Sequence, residues 1–231
     1  MALAGSAFFA RGPHRALARL GTMTAPVFAA YTPMAPTQVR EAFHLDGWVF
    51  EEKVDGWRML AYKDGGRVRL VSRNGRDHTQ RFAGIAAAIA KLSARSLVLD
   101  GEVAIYDEKL RSRFDWLREP DADAVATPPV LMAFDLLQQD GRECTGRPLR
   151  ERRARLENIV AGSESVFPVR RLARNGFEAW SEVVARDYEG LVAKDEASLY
   201  EAGPTRRWLK VKQKGWTLEE DRWQQRTNSR A

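Results

Sequence analysis

The fold is decided around residues 48–73, which read WVFEEKVDGWRMLAYKDGGRVRLVSR. Apolar and polar residues alternate there in three short runs, as expected for half-buried β-strands: Trp48–Val54, Arg58–Lys63 and Arg67–Arg73. Glycine turns punctuate the runs: Asp55-Gly56, Asp64-Gly65-Gly66 and Asn74-Gly75. Such turns favour hairpins, so we predict consecutive antiparallel strands in this part of the chain.

Strand and helix patterns follow one another irregularly in the rest of the chain. Further strands are predicted at Leu97–Tyr106, Pro129–Leu137, Tyr188–Lys194 and Arg206–Gln213. Helices are predicted at Arg81–Leu92, Arg150–Val160 and Phe177–Ala185. Pro129–Leu137 is apolar almost throughout, which is typical of a central strand. We therefore predict an α+β fold of mixed, largely antiparallel β-sheets flanked by helices.

The composition excludes several classes of protein. With 44% hydrophobic residues in 231, the chain can bury a core, and no run of about 18 apolar residues is present to span a membrane. The single cysteine, Cys144, excludes an internal disulfide and a multi-cysteine zinc site and indicates a reducing compartment. The three histidines show neither ligand nor triad spacing.

The two ends of the chain differ from its middle. The net charge is +6, but residues 1–40 contain four arginines and no acid, so only +2 belongs to residues 41–231. For residues 1–22 we favour a disordered leader, or a start codon placed too early, over an organelle transit peptide. Residues 215–231 contain a capping box, Thr217–Glu220, which predicts a short helix in the tail.

Basic residues form two clusters. The first lies in the predicted helix near residue 150, where a solvated helix face is expected: Arg147, Arg150, Arg152, Arg153 and Arg155. The second comprises Arg206, Arg207, Lys210, Lys212 and Lys214. Strand alternation places Arg206, Trp208, Lys210 and Lys212 on one face. Cations on one face of a short strand favour a phosphate chain or a buried acid cluster as their partner.

Acidic residues lie beside glycines at three places, one of which is Glu189-Gly190 at the start of the predicted strand Tyr188–Lys194. Glu51, Lys53 and Asp55 share one strand face, which puts a lysine between two carboxylates just before a glycine turn. Alone, this is an ordinary end of a hairpin. Asp100 and Glu102 share a face of the predicted strand 97–106, where they either hold a metal or a ribose or face water.

In chain order, six segments resemble the motifs of the covalent nucleotidyltransferases, the family of ATP-dependent DNA ligases, RNA ligases and mRNA capping enzymes. The segments are Lys53-Val-Asp-Gly-Trp-Arg58, Ser72-Arg-Asn-Gly75, Asp100-Gly-Glu102, Phe134-Asp-Leu-Leu137, Glu189-Gly-Leu-Val-Ala-Lys194 and Trp208-Leu-Lys-Val-Lys212. Among these enzymes the chain most resembles DNA ligases, especially the ligase modules of bacterial end-joining proteins. The segment Tyr31-Thr-Pro-Met-Ala-Pro36 adds to that resemblance.

The resemblance implies a nucleotidyltransferase, ATP-grasp-like domain over residues 23–214, with ATP as cofactor and Mg²⁺ or Mn²⁺ as metal. Lys53 would be the nucleophile that forms lysyl-AMP, and Phe134 would stack on adenine. The other cofactor-binding residues would be Glu51, Glu52, Arg58, Arg73, Glu102, Lys210 and Lys212. Glu102 and Glu189 would hold the metal. Asp55, Asp100 and Lys194 are weaker candidates, Lys194 because alternation puts it on the strand face opposite Glu189.

The implied activity is transfer of AMP to a DNA 5′-phosphate and sealing of the nick by a 3′-hydroxyl. Complete ligases of the family continue into an OB-fold, for which we expect no room after Lys212. A protein partner supplying grip on DNA is therefore a further expectation, as are a monomeric state and a nucleoid-associated location in the bacterial cytoplasm. Two alternatives stay open here: an RNA ligase or other covalent nucleotidyltransferase, and a non-catalytic DNA-binding remnant.

Overall fold

The computed structural model describes residues 31–119, 124 and 126–214. The strands in this part of the chain are β1 Met34–Gln38, β2 Trp48–Glu52, β3 Trp57–Asp64, β4 Arg67–Ser72, β5 Ser96–Ala104, β6 Val130–Gln139, β7 Arg142–Glu143, β8 Val166–Pro168, β9 Gly190–Asp195 and β10 Gly203–Lys212. The helices are α1 Ala83–Lys91, α2 Leu149–Val160 and α3 Gly176–Arg186, with a 3₁₀ turn at Asp115–Leu117.

The strands form two sheets. Sheet I has the order β1-β10-β9-β2, and sheet II has the order β4-β3-β5-β6-β7, with β8 paired to β6. All pairings are antiparallel except β1 with β10 and β6 with β8. This confirms the predicted α+β class with largely antiparallel sheets.

Burial of apolar side chains stacks the two sheets between helices. One face of sheet II packs on α1 and α2 through residues such as Met59, Ile85 and Leu156. Its other face meets sheet I through a second cluster that contains Leu60, Val98 and Trp208. The outer face of sheet I packs on α3 through Phe50, Ala179 and Leu191. The residues of sheet I that point away from α3 therefore face sheet II, and the space between the two sheets is called the cleft below.

The turn predictions were right in one place and wrong in another. Asp64-Gly65-Gly66 connects β3 and β4 as a hairpin. Asp55-Gly56 does not, because β2 pairs with β9 in sheet I while β3 pairs with β4 and β5 in sheet II. The chain crosses between the sheets here, and Gly56 is needed because a Cβ would lie 2.2 Å from the Val103 carbonyl oxygen.

The sequence patterns did not predict three of the described strands, β1, β7 and β8. They are short, and two of them pair in parallel with partners that are distant in the chain. In the part of the chain that the structure describes, no helix has the length and apolarity to cross a membrane. The predicted leader at residues 1–22 and the tail helix at Thr217–Glu220 lie outside the described residues.

Candidate active site

A group of two lysines and one glutamate lies where β2 and β10 end and β9 begins. Lys53 follows β2 directly, and its Nζ lies 2.5 Å from Glu189 Oε2. Lys212, the last residue of β10, places its Nζ 3.1 Å from Glu189 Oε1. Glu189 is 1% exposed at its side chain, whereas Lys53 is 17% exposed. Lys53 is thus held by a buried carboxylate and still reaches the surface of the cleft.

Glu102 lies beside this group in β5. It is cross-strand partner to Arg58 of β3, and its Cγ would be 2.9 Å from a Cβ at Gly56, in the loop after Lys53. Burial raises the pKa of Glu102 to about 8, against the opposing charges of Lys53 and Arg58. The carboxylates of Glu189 and Asp100 add to the rise.

Asp100 positions Arg58. The guanidinium donates two hydrogen bonds to the Asp100 carboxylate, at 3.0 Å from Nε and 2.6 Å from Nη2. It also donates to the Met34 carbonyl at 2.6 Å, and the Tyr200 hydroxyl donates to Asp100 at 2.6 Å. Because Asp100 is fully buried and accepts hydrogen bonds from both Arg58 and Tyr200, it fixes the Arg58 side chain rather than facing a ligand.

A second buried group surrounds the half-buried Phe134. Lys194 Nζ lies 4.4 Å from the Phe134 ring centroid, 4.2 Å from that of Trp208, and 2.6 Å from Glu51 Oε2. Arg153 pairs with the other oxygen of Glu51. Burial lowers the pKa of Lys194, and the charge of Glu51 opposes that change. Arg58 lies over the same Phe134 ring, 5.3 Å from its centroid.

Two predictions about Glu51 and Lys194 need correction. Both oxygens of Glu51 are engaged by Arg153 and Lys194, so its side chain is not open to read an adenine edge. Lys194 does not lie opposite Glu189, because Glu189 precedes β9 and strand alternation does not apply to it. Both side chains contact residues on the inner face of sheet I, Trp208 for Lys194 and Lys212 for Glu189.

Glu52 lies apart from the other predicted cofactor-binding residues. It shares its face of β2 with Phe50, which packs into the α3 core, so it points away from the cleft. Its nearest cation is Arg170, with Nη1 3.6 Å from Oε2. The prediction that Glu52 binds the cofactor is therefore wrong in geometry.

Arg73, Asp55 and Lys210 are placed less decisively. Arg73 is exposed in the turn that follows β4, and within the described ranges no hydrogen bond or ion pair links it to the Lys53 group. Asp55 lies in the loop between the sheets, where its amide donates to Ser112 Oγ at 2.8 Å. Lys210 pairs with Val192 in β9, on the strand face that also carries Lys212.

The expected solvated helix face is wrong for two arginines. Arg152 and Arg153 of α2 are 0% and 2% exposed. Arg152 binds Asp135 at 2.7 and 2.8 Å, while Arg153 binds Glu51. Helical spacing could not reveal this, because the acids that neutralise them lie in β6 and β2. Tyr200 and Arg170 were missed for the same reason, since no local pattern marks them.

The two sheets face each other across the cleft, and Lys53 lies there beside Glu102 and Glu189. Lys210 and Lys212 follow along β10. This arrangement defines a nucleotidyltransferase-type ligase domain. The family model of the ATP-dependent DNA ligase domain matches residues 26–212. The chain belongs to this family.

Relatives and solved structures agree with that assignment. The multifunctional non-homologous end joining protein LigD of Mycobacterium bovis is 33% identical over 197 residues, which is 85% of this chain and 24% of the relative. A probable DNA ligase of Streptomyces griseus is 36% identical over 182 residues, 70% of this chain and 35% of the relative. The chain therefore spans between a quarter and about a third of these proteins.

The structure of mycobacterial DNA ligase D complexed with ATP and MES is 32% identical, with a TM-score of 0.68. The match covers 78% of this chain and 60% of that one. Chlorella virus DNA ligase-adenylate is 15% identical, with a TM-score of 0.56 over 80% of this chain and 69% of that one, and so shares the fold. The family model and the relatives above 30% identity favour a DNA ligase over the RNA ligase and remnant alternatives.

Proposed function

We propose that this chain carries out the adenylation chemistry of a DNA ligase, with Lys53 as its nucleophile. Lys53 Nζ attacks the α-phosphorus of ATP, a P–N bond forms, and pyrophosphate leaves. AMP then passes to the 5′-phosphate of a nick, and the 3′-hydroxyl displaces AMP as the phosphodiester forms. The observation that carries the proposal is the bridging of Lys53 and Lys212 by the buried Glu189.

The bridge supplies a route for the proton that Lys53 must lose. An ammonium has no lone pair, so it must give up a proton before it attacks. Glu189 Oε2 is the acceptor at 2.5 Å, and Lys212 on the other oxygen stabilises the charge of the carboxylate. The Lys53 side chain is partly exposed, which leaves it open to a ligand.

The neighbouring residues suit the parts of ATP. Phe134 of β6 is half-buried on the face of sheet II that meets sheet I, and it offers an aromatic surface for adenine. Arg58, held rigid by Asp100, suits the ribose or the DNA 5′-phosphate, while Lys210 and Lys212 suit the α-phosphate. Arg73 keeps its proposed phosphate role from the motif alone.

For the metal, the candidate ligands are the carboxylates of Glu102 and Glu189, and a cation at Glu189 would share its oxygens with Lys53 and Lys212. Burial raises the pKa of Glu102 to about 8 despite the charges of Lys53 and Arg58, and a bound cation would favour the ionised form of this carboxylate. Among the described residues, no group of three or more His, Cys, Asp or Glu side chains is arranged to hold a metal. Mg²⁺ or Mn²⁺ would therefore take most ligands from phosphates and water, and when bound it neutralises phosphate charge.

The test is incubation with α-labelled ATP and Mg²⁺ or Mn²⁺, followed by a denaturing gel. We expect a covalent label that is acid-labile and base-stable, absent from Lys53→Ala and retained in Lys91→Ala, a control at an exposed lysine of α1. Absence of label from the unmodified chain with both metals would refute adenylation by this chain. A nick already carrying AMP then tests the sealing step alone.

We propose nicked double-stranded DNA as substrate and a role in DNA repair, because relatives of this chain are DNA ligases and end-joining proteins. Sealing of a DNA nick in preference to an RNA nick is the expected result. A further domain or a protein partner would supply grip on DNA, and sealing that rises when such a partner is added would support this. A monomer at the bacterial nucleoid completes the proposal.

A further inference from the structure

Behind the active site, two buried polar side chains, Glu52 and Tyr106, lack hydrogen-bond partners among the described residues. The carboxylate of Glu52 is 1% exposed at its side chain, and among the described residues neither of its oxygens accepts a hydrogen bond. The hydroxyl of Tyr106, just after β5, is buried and equally without a hydrogen-bond partner there. Burying a carboxylate without hydrogen bonds is unfavourable, so its retention next to Lys53 calls for a function.

This group is tied to both halves of the Lys53–Glu189 pair. The Glu52 amide donates to the Arg170 carbonyl at 2.9 Å, and the next amide, that of Lys53, donates to the Gly190 carbonyl at 3.0 Å. The Arg170 guanidinium donates to the Tyr188 hydroxyl and lies 5.5 Å from that ring's centroid. Glu52 directly precedes Lys53, and Tyr188 directly precedes Glu189. Arg170 thus contacts the neighbour of each catalytic candidate.

We infer that Glu52, Arg170 and Tyr188 form a positioning cluster, in which an ionised Glu52 draws Arg170 across β2 and β9 and so sets the Lys53–Glu189 geometry. A neutral Glu52 holds Arg170 less strongly, and the pair is then less well aligned. The inference rests on the function proposed above. Glu52, Arg170 and Tyr188 all lie outside the six motifs, and Glu52 lies on the face of β2 that points away from the cleft.

The titration of Glu52 falls in a range where the cluster could respond. Burial raises the pKa of Glu52 to about 7, and Arg170 and Arg186 oppose the rise while Glu182 adds to it. Arg186 and Glu182 come from α3, Arg170 from the segment after β8, and the phenols Tyr106 and Tyr188 complete the groups around it. Glu51, the charged neighbour on β2 itself, points to the other face, and Lys53, which follows β2, contacts Glu189.

The test compares the unmodified chain with Glu52→Gln, which keeps the side chain neutral, from pH 5.5 to 8.5. The ratio of their rates of lysyl-AMP formation should be near one at pH 5.5. Above pH 8 the unmodified chain should be about three- to tenfold faster, the range expected for loss of one polar contact. Glu178→Gln, at an exposed acid of α3, is the matched control and should follow the unmodified chain.

A second measurement separates this inference from the proposed function. In ¹⁵N spectra, the amide signals of Lys53 and Glu189 should shift with a common midpoint near pH 7, and Glu52→Gln should remove that transition. Tyr188→Phe lacks the hydroxyl that binds Arg170, so above pH 8 it should form lysyl-AMP more slowly than the unmodified chain, as Glu52→Gln does. Tyr188→Phe replaces Glu52→Gln if that variant does not fold. A rate ratio constant across the pH range, or an unchanged amide transition in Glu52→Gln, would overturn the inference. Failure to label at any pH would refute the proposed function instead, and the amide transition would still decide the inference.

Discussion

Replacement of Arg152 by methionine should destabilise the domain, and more so at pH 8 than at pH 5. Arg152 and Asp135 are both fully buried, and the guanidinium donates to both carboxylate oxygens at 2.7 and 2.8 Å. The same guanidinium donates to the backbone carbonyls of Ser198, at 3.0 Å, and Arg147. It therefore joins α2 to β6 and to the loop before β10. Methionine keeps much of the apolar volume and removes the charge.

The magnitude follows from leaving Asp135 without a cation. Removal of one partner from a buried ion pair costs about 3–5 kcal/mol, a large part of the about 5–15 kcal/mol that stabilises a typical domain. Burial acts to raise the pKa of Asp135, and Arg152 opposes this. Without Arg152, the pKa of Asp135 is higher in the folded state than in the unfolded state, so protonation of Asp135 stabilises the folded state at low pH. This stabilisation is lost as the pH rises through the folded-state pKa of Asp135. The loss at pH 5 should accordingly be smaller than at pH 8.

Urea unfolding at both pH values measures the effect. Arg155→Met is the matched control, because Arg155 is exposed on the same helix, and it should change the free energy of unfolding by less than about 0.5 kcal/mol. Adding Asp135→Asn to Arg152→Met should restore part of the loss at pH 8, since no uncompensated charge then stays buried. A loss for Arg152→Met no larger than for Arg155→Met, at both pH values, would refute the reasoning.

Three further changes test other parts of the structure. Gly190→Ala should destabilise the domain by about 1–3 kcal/mol in thermal unfolding, because its Cβ would lie 2.0 Å from the Val211 carbonyl oxygen. Gly84→Ala in α1 is the control: the space around Gly84 is open, and this change should stabilise the domain by up to about 1 kcal/mol. Tyr200→Phe should cost about 1–3 kcal/mol, since the hydroxyl donates to Asp100 at 2.6 Å and accepts from the Met34 amide at 3.0 Å; an unchanged melting temperature would contradict this. The raised pKa of Glu52, about 7, means that the folded state binds a proton more tightly than the unfolded state, so stability falls as the pH rises from about 4.5 to about 7. Glu52→Gln should accordingly be more stable than the unmodified chain by up to about 3 kcal/mol at pH 8 and equal to it near pH 4, and a difference independent of pH would disprove the assignment.

Local pattern was sufficient for most elements of this fold. Alternation along residues 58–73 predicted the β3–β4 hairpin, and helical spacing at Ile85 and Ile89 predicted α1, because side-chain periodicity is set by the backbone geometry of each element. The order of the motifs predicted the family that the comparisons then showed. The roles of Lys53 and of its companion residues remain predictions that the labelling experiment tests.

The sequence by itself determined which residue types the chain offers to a nucleotide: Lys53 before a glycine turn, glutamates beside glycines, and lysines in alternation along β10. Only the tertiary structure decided which charges meet. Arg152 and Arg153 pair with acids in strands that are distant in the chain. Glu52 points away from the cleft and lies near Arg170. Glu189 bridges Lys53 and Lys212. Coulombic pairing and desolvation depend on distances through space, and these are fixed by how sheet I packs against sheet II and α3.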